Sequence, residues 1–145
     1  MKTKNKEMIN VENLLLGNQA LYRELLYKLA RDYEYQGDYQ SAIERYKEMV
    51  KLGTKEGITE IAKIYIICTC LAVISNTRVS LDFNKLFLWL KKISDLYPEE
   101  VFKTIYLFLA LKLPKSKEQL RYKTFLAKST NKIAKKYYKS LSKGE

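Results

Sequence analysis

The chain contains no histidine, which removes the side chain most often used as a general base and as a metal ligand. It also lacks a Gly-x-Gly phosphate loop, a Gly-Lys-Ser/Thr motif and a Gly-x-Ser-x-Gly nucleophile elbow. Its carboxylate clusters are Glu99–Glu100, which suits a helix start, and Glu56 with Glu60, which suits a solvated helix face beside Lys63. No catalytic residue, metal or cofactor is expected, and the reading is non-enzymatic. With only 5 glycines and 2 prolines, the chain is too poor in turn-formers for an all-β fold.

The two cysteines, Cys68 and Cys70, lie two positions apart. On a helix they point about 200° apart, so they neither bridge each other nor share a metal. They read as buried hydrophobes, compatible with a reducing, intracellular setting. The longest uncharged run, Ile64 to Thr77, has 14 residues, short of the roughly 20 that a membrane span needs. The basic start, Met1 to Lys6, is not followed by an apolar stretch and a cleavage site, so no secretory leader is expected and a cytoplasmic location is.

What is present is helical patterning, most clearly over residues 26–53. Leu26, Leu29, Ala30 and Tyr33 follow a three-four spacing, and Ala42, Tyr46 and Met49 repeat it downstream. Between them lies Gln36-Gly37-Asp38-Tyr39, where glycine closes one helix and Asp38 caps the next. Small residues, Ala30 and Ala42, sit where paired helices approach closely.

Leu26, Leu29, Ala30, Tyr33, Gly37, Tyr39, Ala42 and Tyr46 together resemble a tetratricopeptide repeat, a helix–turn–helix unit of about 34 residues. Thr54 stands where that family usually has its closing proline, and its lysine- and asparagine-rich carboxylate clamp is absent. The resemblance implies stacked helical hairpins whose first helices line a groove for a partner peptide or helix. On this chain Glu24, Tyr27, Arg31, Glu34 and Tyr35 would face that groove. Tyrosine suits such a role, because it offers contact area and a hydrogen bond at low entropy cost. Plain surface residues are the alternative.

The expected fold is all-α: antiparallel hairpins in a short tetratricopeptide-like array of about six helices, forming one domain over 1–145 with a C-terminal cap helix. Residues 1–9 read as a flexible basic arm, and Val11 to Leu16 as a short helix ended by Gly17. Long helices follow at Gln19–Tyr35, Tyr39–Leu52 and Lys55–Ser75, the last capped by Thr54. Ser80 and Leu81 open a fourth helix that runs to Tyr97 and pairs with the third as a second, divergent repeat, splayed wider than the first. Pro98-Glu99-Glu100 opens a fifth, ending before Pro114. Ser116 with Gln119 forms a capping box for a sixth, basic helix over 117–141.

The net charge of +11 is concentrated in that last segment. Residues 112–145 carry 11 basic and 2 acidic side chains, against 16 and 14 in residues 1–111. On one continuous helix Lys117, Arg121, Lys128, Lys132, Lys135, Lys139 and Lys143 fall within about 40° of a line. Phe125 and Lys123 depart from that pattern, each lying on the other's proper face. A polar outer face on a cap helix is one explanation of the stripe. An acidic partner is the other, since like charges repel and Glu118 is the helix's one acid. An acidic protein surface, nucleic acid with Tyr137 or Tyr138 stacking on bases, and an anionic membrane surface all fit. Lysine outnumbers arginine ten to one there, so the stripe reads charge, not base identity. The leading expectation is a protein-binding adaptor whose basic end contacts an acidic partner; nucleic-acid binding, or inhibition by docking on a larger nucleoprotein or enzyme, is the alternative.

Overall fold

The computed structural model describes residues 17–73, 75, 79, 81–111 and 117–143. Seven α-helices account for most of them: α1 (Gln19–Tyr35), α2 (Tyr39–Lys51), α3 (Glu56–Val73), α4 (Phe83–Ile93), α5 (Pro98–Leu109), α6 (Lys117–Lys128) and α7 (Lys132–Lys143). No strand occurs among the described residues, so the all-α class holds. The arm at 1–9, the short helix at 11–16, Ser80 and the Ser116 capping box lie outside the described residues.

The chain divides into two compact units, Met1–Gly57 and Ile58–Glu145, where the sequence suggests one domain. The boundary falls just past the Gly53–Thr54 break.

In the first unit, α1 and α2 form the hairpin expected from the Gly37 turn. Gly37 has φ +80°, a conformation glycine adopts without a Cβ clash. Its N–H donates to the Glu34 carbonyl, and the Asp38 N–H to that of Tyr33, both at 2.9 Å, closing α1 with a Schellman motif. Asp38 then caps α2, accepting from the Ser41 N–H at 3.2 Å and the Ser41 hydroxyl at 2.8 Å. Leu26, Ala30, Ala42, Ile43 and Tyr46 are all buried. The Gly53 turn closes α2 in the same way, with Thr54 N–H donating to Met49 O at 2.9 Å. Thr54 does not cap with its side chain: its hydroxyl is buried without a hydrogen-bond partner. Its carbonyl accepts from the Gly57 N–H at 3.1 Å instead.

In the second unit an aromatic cluster forms the core. Tyr65 of α3 meets Phe108 of α5 edge-on at 4.3 Å between centroids, and Phe83 and Tyr122 at 5.3 and 5.4 Å. Such edge-to-face packing lets ring quadrupoles attract while burying large apolar area. Helix α5 is the common neighbour, packing closely with α4, α6 and α7. The second hairpin, α3 with α4, is expected to be splayed wider than the first, and the two helices meet through large side chains, the Tyr65 and Phe83 rings among them, not through close backbones. Leu86, standing where the motif wants a small residue, is buried and holds space that a close backbone approach would need. Helix α4 is also shorter than expected, because Asp82, accepting from the Lys85 N–H at 2.9 Å, opens it and Ser94 ends it.

Candidate docking surface

The basic segment is where the structure departs most from the sequence reading. It is two helices, not one over 117–141. Ser129, Thr130 and Asn131 break it: the Ser129 hydroxyl accepts from the Asn131 N–H at 3.2 Å, and Asn131 Oδ1 caps α7 by accepting from Ile133 N–H at 2.8 Å. Short polar side chains compete in this way for backbone groups a continuing helix would use. The 100° arithmetic therefore fails across residue 130, and the single stripe becomes two separate surfaces.

On α7, Lys132, Lys135, Lys136, Lys139 and Lys143 line one shallow concavity with Ser140. Lys136, absent from the stripe calculated on a continuous helix, also lines this concavity. Its ammonium also lies 5.4 Å from the Tyr137 ring centroid. Among the described residues Lys132, Lys135, Lys139 and Lys143 have no carboxylate partner. Tyr137, by contrast, is half-buried and held by its neighbours. Its hydroxyl donates to Glu99 Oε1 at 2.7 Å, and its ring lies 5.4 Å from that of Tyr106. Burial, then the hydrogen bond to Glu99, pushes its ionisation up to about 12.

On α6, Lys117, Arg121 and Lys128 face a cleft against α4. The cleft has a volume of about 640 Å³. Its floor is made by the rings of Phe87 and Phe125, 5.8 Å apart, and Phe125 also packs against Phe102 at 5.8 Å. Leu120 stands at its wall, 66% exposed, and Lys91 of α4 joins the rim. Arg121 is held in place: Nη2 donates to Asn84 Oδ1 at 2.6 Å, Nη1 lies 4.0 Å from Glu118, and the guanidinium sits 4.2 Å above Phe87. Phe125 on the basic face of α6, the position that broke the pattern, is the sequence signal for this cleft. Lys91 and Phe87 carry no such signal, since only the fold brings α4 alongside.

The five residues expected to face a groove on α1 share one side of that helix. Tyr35 is 95% exposed and Tyr27 40%. Arg31 is open to solvent while pairing with Glu34 at 3.5 Å. Glu34 is turned inward, accepting from the Tyr46 hydroxyl at 3.1 Å, and Glu24 is exposed. Tyr27 meets the buried Tyr46 edge-on at 6.2 Å.

Both cysteines are free thiols. Cys68 is buried, and burial pushes its ionisation up to about 12; Cys70 is only half-buried, against the expectation for both. No helix of the described residues is long and apolar enough to cross a membrane. Comparison with family models, with curated proteins and with solved structures finds no match.

Proposed function

We propose that this chain is a non-enzymatic adaptor that binds protein, with its two C-terminal helices contacting an acidic partner surface. The observation that carries the reading is the row of lysines on α7 with no carboxylate partner among the described residues. A face selected for solubility alone gains by mixing signs, because i,i+4 pairs stabilise while like charges repel. Elsewhere the chain does mix them, as in the Arg31–Glu34, Arg45–Glu48 and Lys47–Glu44 pairs. An intracellular setting and a tetratricopeptide-like groove on α1, with Tyr27, Arg31 and Tyr35 reaching solvent, belong to the same reading. The α1–α2 hairpin, its Gly37 turn and its buried Ala30 and Ala42 support the likeness. An acidic protein is preferred to nucleic acid because Tyr137, one of the two candidate stacking residues, is tied to Glu99 and Tyr106.

The test is binding of a labelled polyglutamate peptide and of duplex DNA, each across a salt series. Polyglutamate is expected to bind the wild type at low salt and to be lost from Lys132→Glu/Lys135→Glu/Lys139→Glu. Nucleic-acid binding that outlasts polyglutamate, with log K falling by about 0.9 per log unit of salt for each phosphate neutralised, would replace this reading with its rival. For the α1 groove the corresponding variant is Tyr27→Ala with Arg31→Ala, which weakens capture of the native partner if that face is used.

A further inference from the structure

The cleft between α4 and α6 combines an apolar floor with a cationic rim. Phe125 leaves ring surface facing the concavity, Phe87 lies beneath the Arg121 guanidinium, and Leu120 adds an exposed isobutyl group beside them. Apolar surface gathered in a concavity is stabilised when a partner removes it from water, at about 25 cal/mol per Å².

We propose that this cleft takes an acidic amphipathic helix of a protein partner, one or two of its large apolar side chains entering the cavity while its carboxylates meet the rim. The proposal rests on the acidic-partner reading and deepens it by naming a second contact and the partner's chemistry. Charge complementarity and spacing choose the occupant. Lys117 and Lys128 stand eleven positions apart on α6, roughly 16 Å along its axis at 1.5 Å per residue. No single phosphate or carboxylate headgroup reaches both, whereas a helix of about three turns lying along α6 does. A volume of about 640 Å³ suits inserted side chains and lies within the usual range of ligand clefts.

Arg121 supplies orientation. Its contacts with Asn84 and Phe87 fix the guanidinium before any partner arrives, so little ordering entropy is lost on engaging a carboxylate. Its planar fork matches that geometry better than a lysine ammonium does.

The experiment is fluorescence anisotropy with a synthetic helical peptide of leucines at i, i+4 and i+7 on a glutamate-rich background. A composition-matched scramble lacking the apolar stripe is the control. The striped peptide is expected to bind the wild type at least tenfold more tightly than the scramble. Leu120→Asp and Thr124→Trp, both at exposed positions, should each reduce it to the level of the scramble, with unchanged circular dichroism melts. Lys117→Glu with Lys128→Glu should weaken both peptides. Equal affinity for stripe and scramble, unaffected by Leu120→Asp, overturns the cleft while leaving the electrostatic reading of α7 standing. Failure of both peptides and of polyglutamate overturns the two together. Binding of phosphatidylglycerol vesicles that Thr124→Trp blocks, without peptide binding, assigns the cleft to lipid and overturns the proposal.

Discussion

The two compact units of this chain solve the same problem of helix packing with opposite materials. In the first, small residues do the work: Ala30 and Ala42 are fully buried, and Gly57 lies against the Tyr46 carbonyl. Charge there is balanced, with seven basic and seven acidic side chains over residues 17–57, and much of it is paired within a turn. In the second unit, rings fill the interior, and helices α6 and α7 carry nine basic side chains against one acidic. Small residues let backbones approach, while Leu21, Leu25, Tyr27, Leu29 and Tyr35 of α1 stay exposed. Rings hold helices further apart, and where Phe125 comes only half-buried over Phe87 they leave a cleft.

The largest expected effect tests the ring core. Tyr122 is 2% exposed and touches Tyr65, Phe87 and Phe108. Tyr122→Ala is expected to cost about 3–5 kcal/mol, read by urea unfolding followed through the single tryptophan, Trp89, in the same unit. Tyr122→Phe should change stability far less, because the ring packing is kept and the buried hydroxyl has the Tyr65 hydroxyl as its polar neighbour but no bond of ordinary hydrogen-bond length. A loss from Tyr122→Phe as large as that from Tyr122→Ala would mean that the hydroxyl, not the ring, holds this part of the core.

Alkaline pH should weaken the same core. Burial, the main cause in each case, raises the ionisation of Tyr65, Cys68 and Tyr122 above their ordinary values of 10.0, 9.0 and 10.0. The folded state therefore keeps protons that the unfolded chain releases. These groups contribute stability that is fully present below pH 9 and declines as pH rises above it, by about 1.4 kcal/mol per pH unit for each group past its unfolded value. Melting followed by Trp89 fluorescence should be flat from neutrality to pH 9 and fall beyond it. A melting temperature unchanged to pH 11 would contradict the burial of all three.

Gly57 tests the close packing of the first unit. A Cβ there would stand 2.7 Å from the Tyr46 carbonyl oxygen and 2.8 Å from Val50 Cγ2, and the first of these is backbone that cannot swing aside. Gly57→Ala should destabilise by about 1–3 kcal/mol, despite alanine's higher helix propensity. The change should appear in circular dichroism melts. A stabilised Gly57→Ala would show that the helices can part without loss.

The hairpin was legible in the sequence because its signals are local. A glycine that must turn left-handed, an aspartate that must cap and a three-four spacing each lie within a few residues of what they determine. The break at Ser129–Asn131 was equally local, yet the lysine periodicity on either side hid it, since two helices of similar phase mimic one. The cleft was half visible. Phe125 among cations marks the α6 side, but Lys91, Asn84 and Phe87 come from a helix more than twenty residues away, and no periodicity relates them. The way α3 meets α4 was also only partly local: Asp82 and Pro98 mark helix ends, whereas the spacing of the pair depends on the bulk of Leu86 and the rings around it.

The smallest expected effect on stability separates the two kinds of charge. Replacing Lys132, Lys135, Lys139 and Lys143 together with glutamine removes four cations that have no carboxylate partner among the described residues. Exposed substitutions usually change stability by no more than about 0.5 kcal/mol, and here relief of repulsion should make the change slightly favourable. Replacing Arg45 and Lys47 in the first unit breaks pairs with Glu48 at 3.2 Å and Glu44 at 3.4 Å. Its cost should be about 0.2–1 kcal/mol for each pair, shrinking with added salt. Opposite signs in the two melts, converging at high salt, would mark the α7 lysines as charge held for a partner. A clear loss of stability in the α7 variant would show instead that those lysines serve the fold.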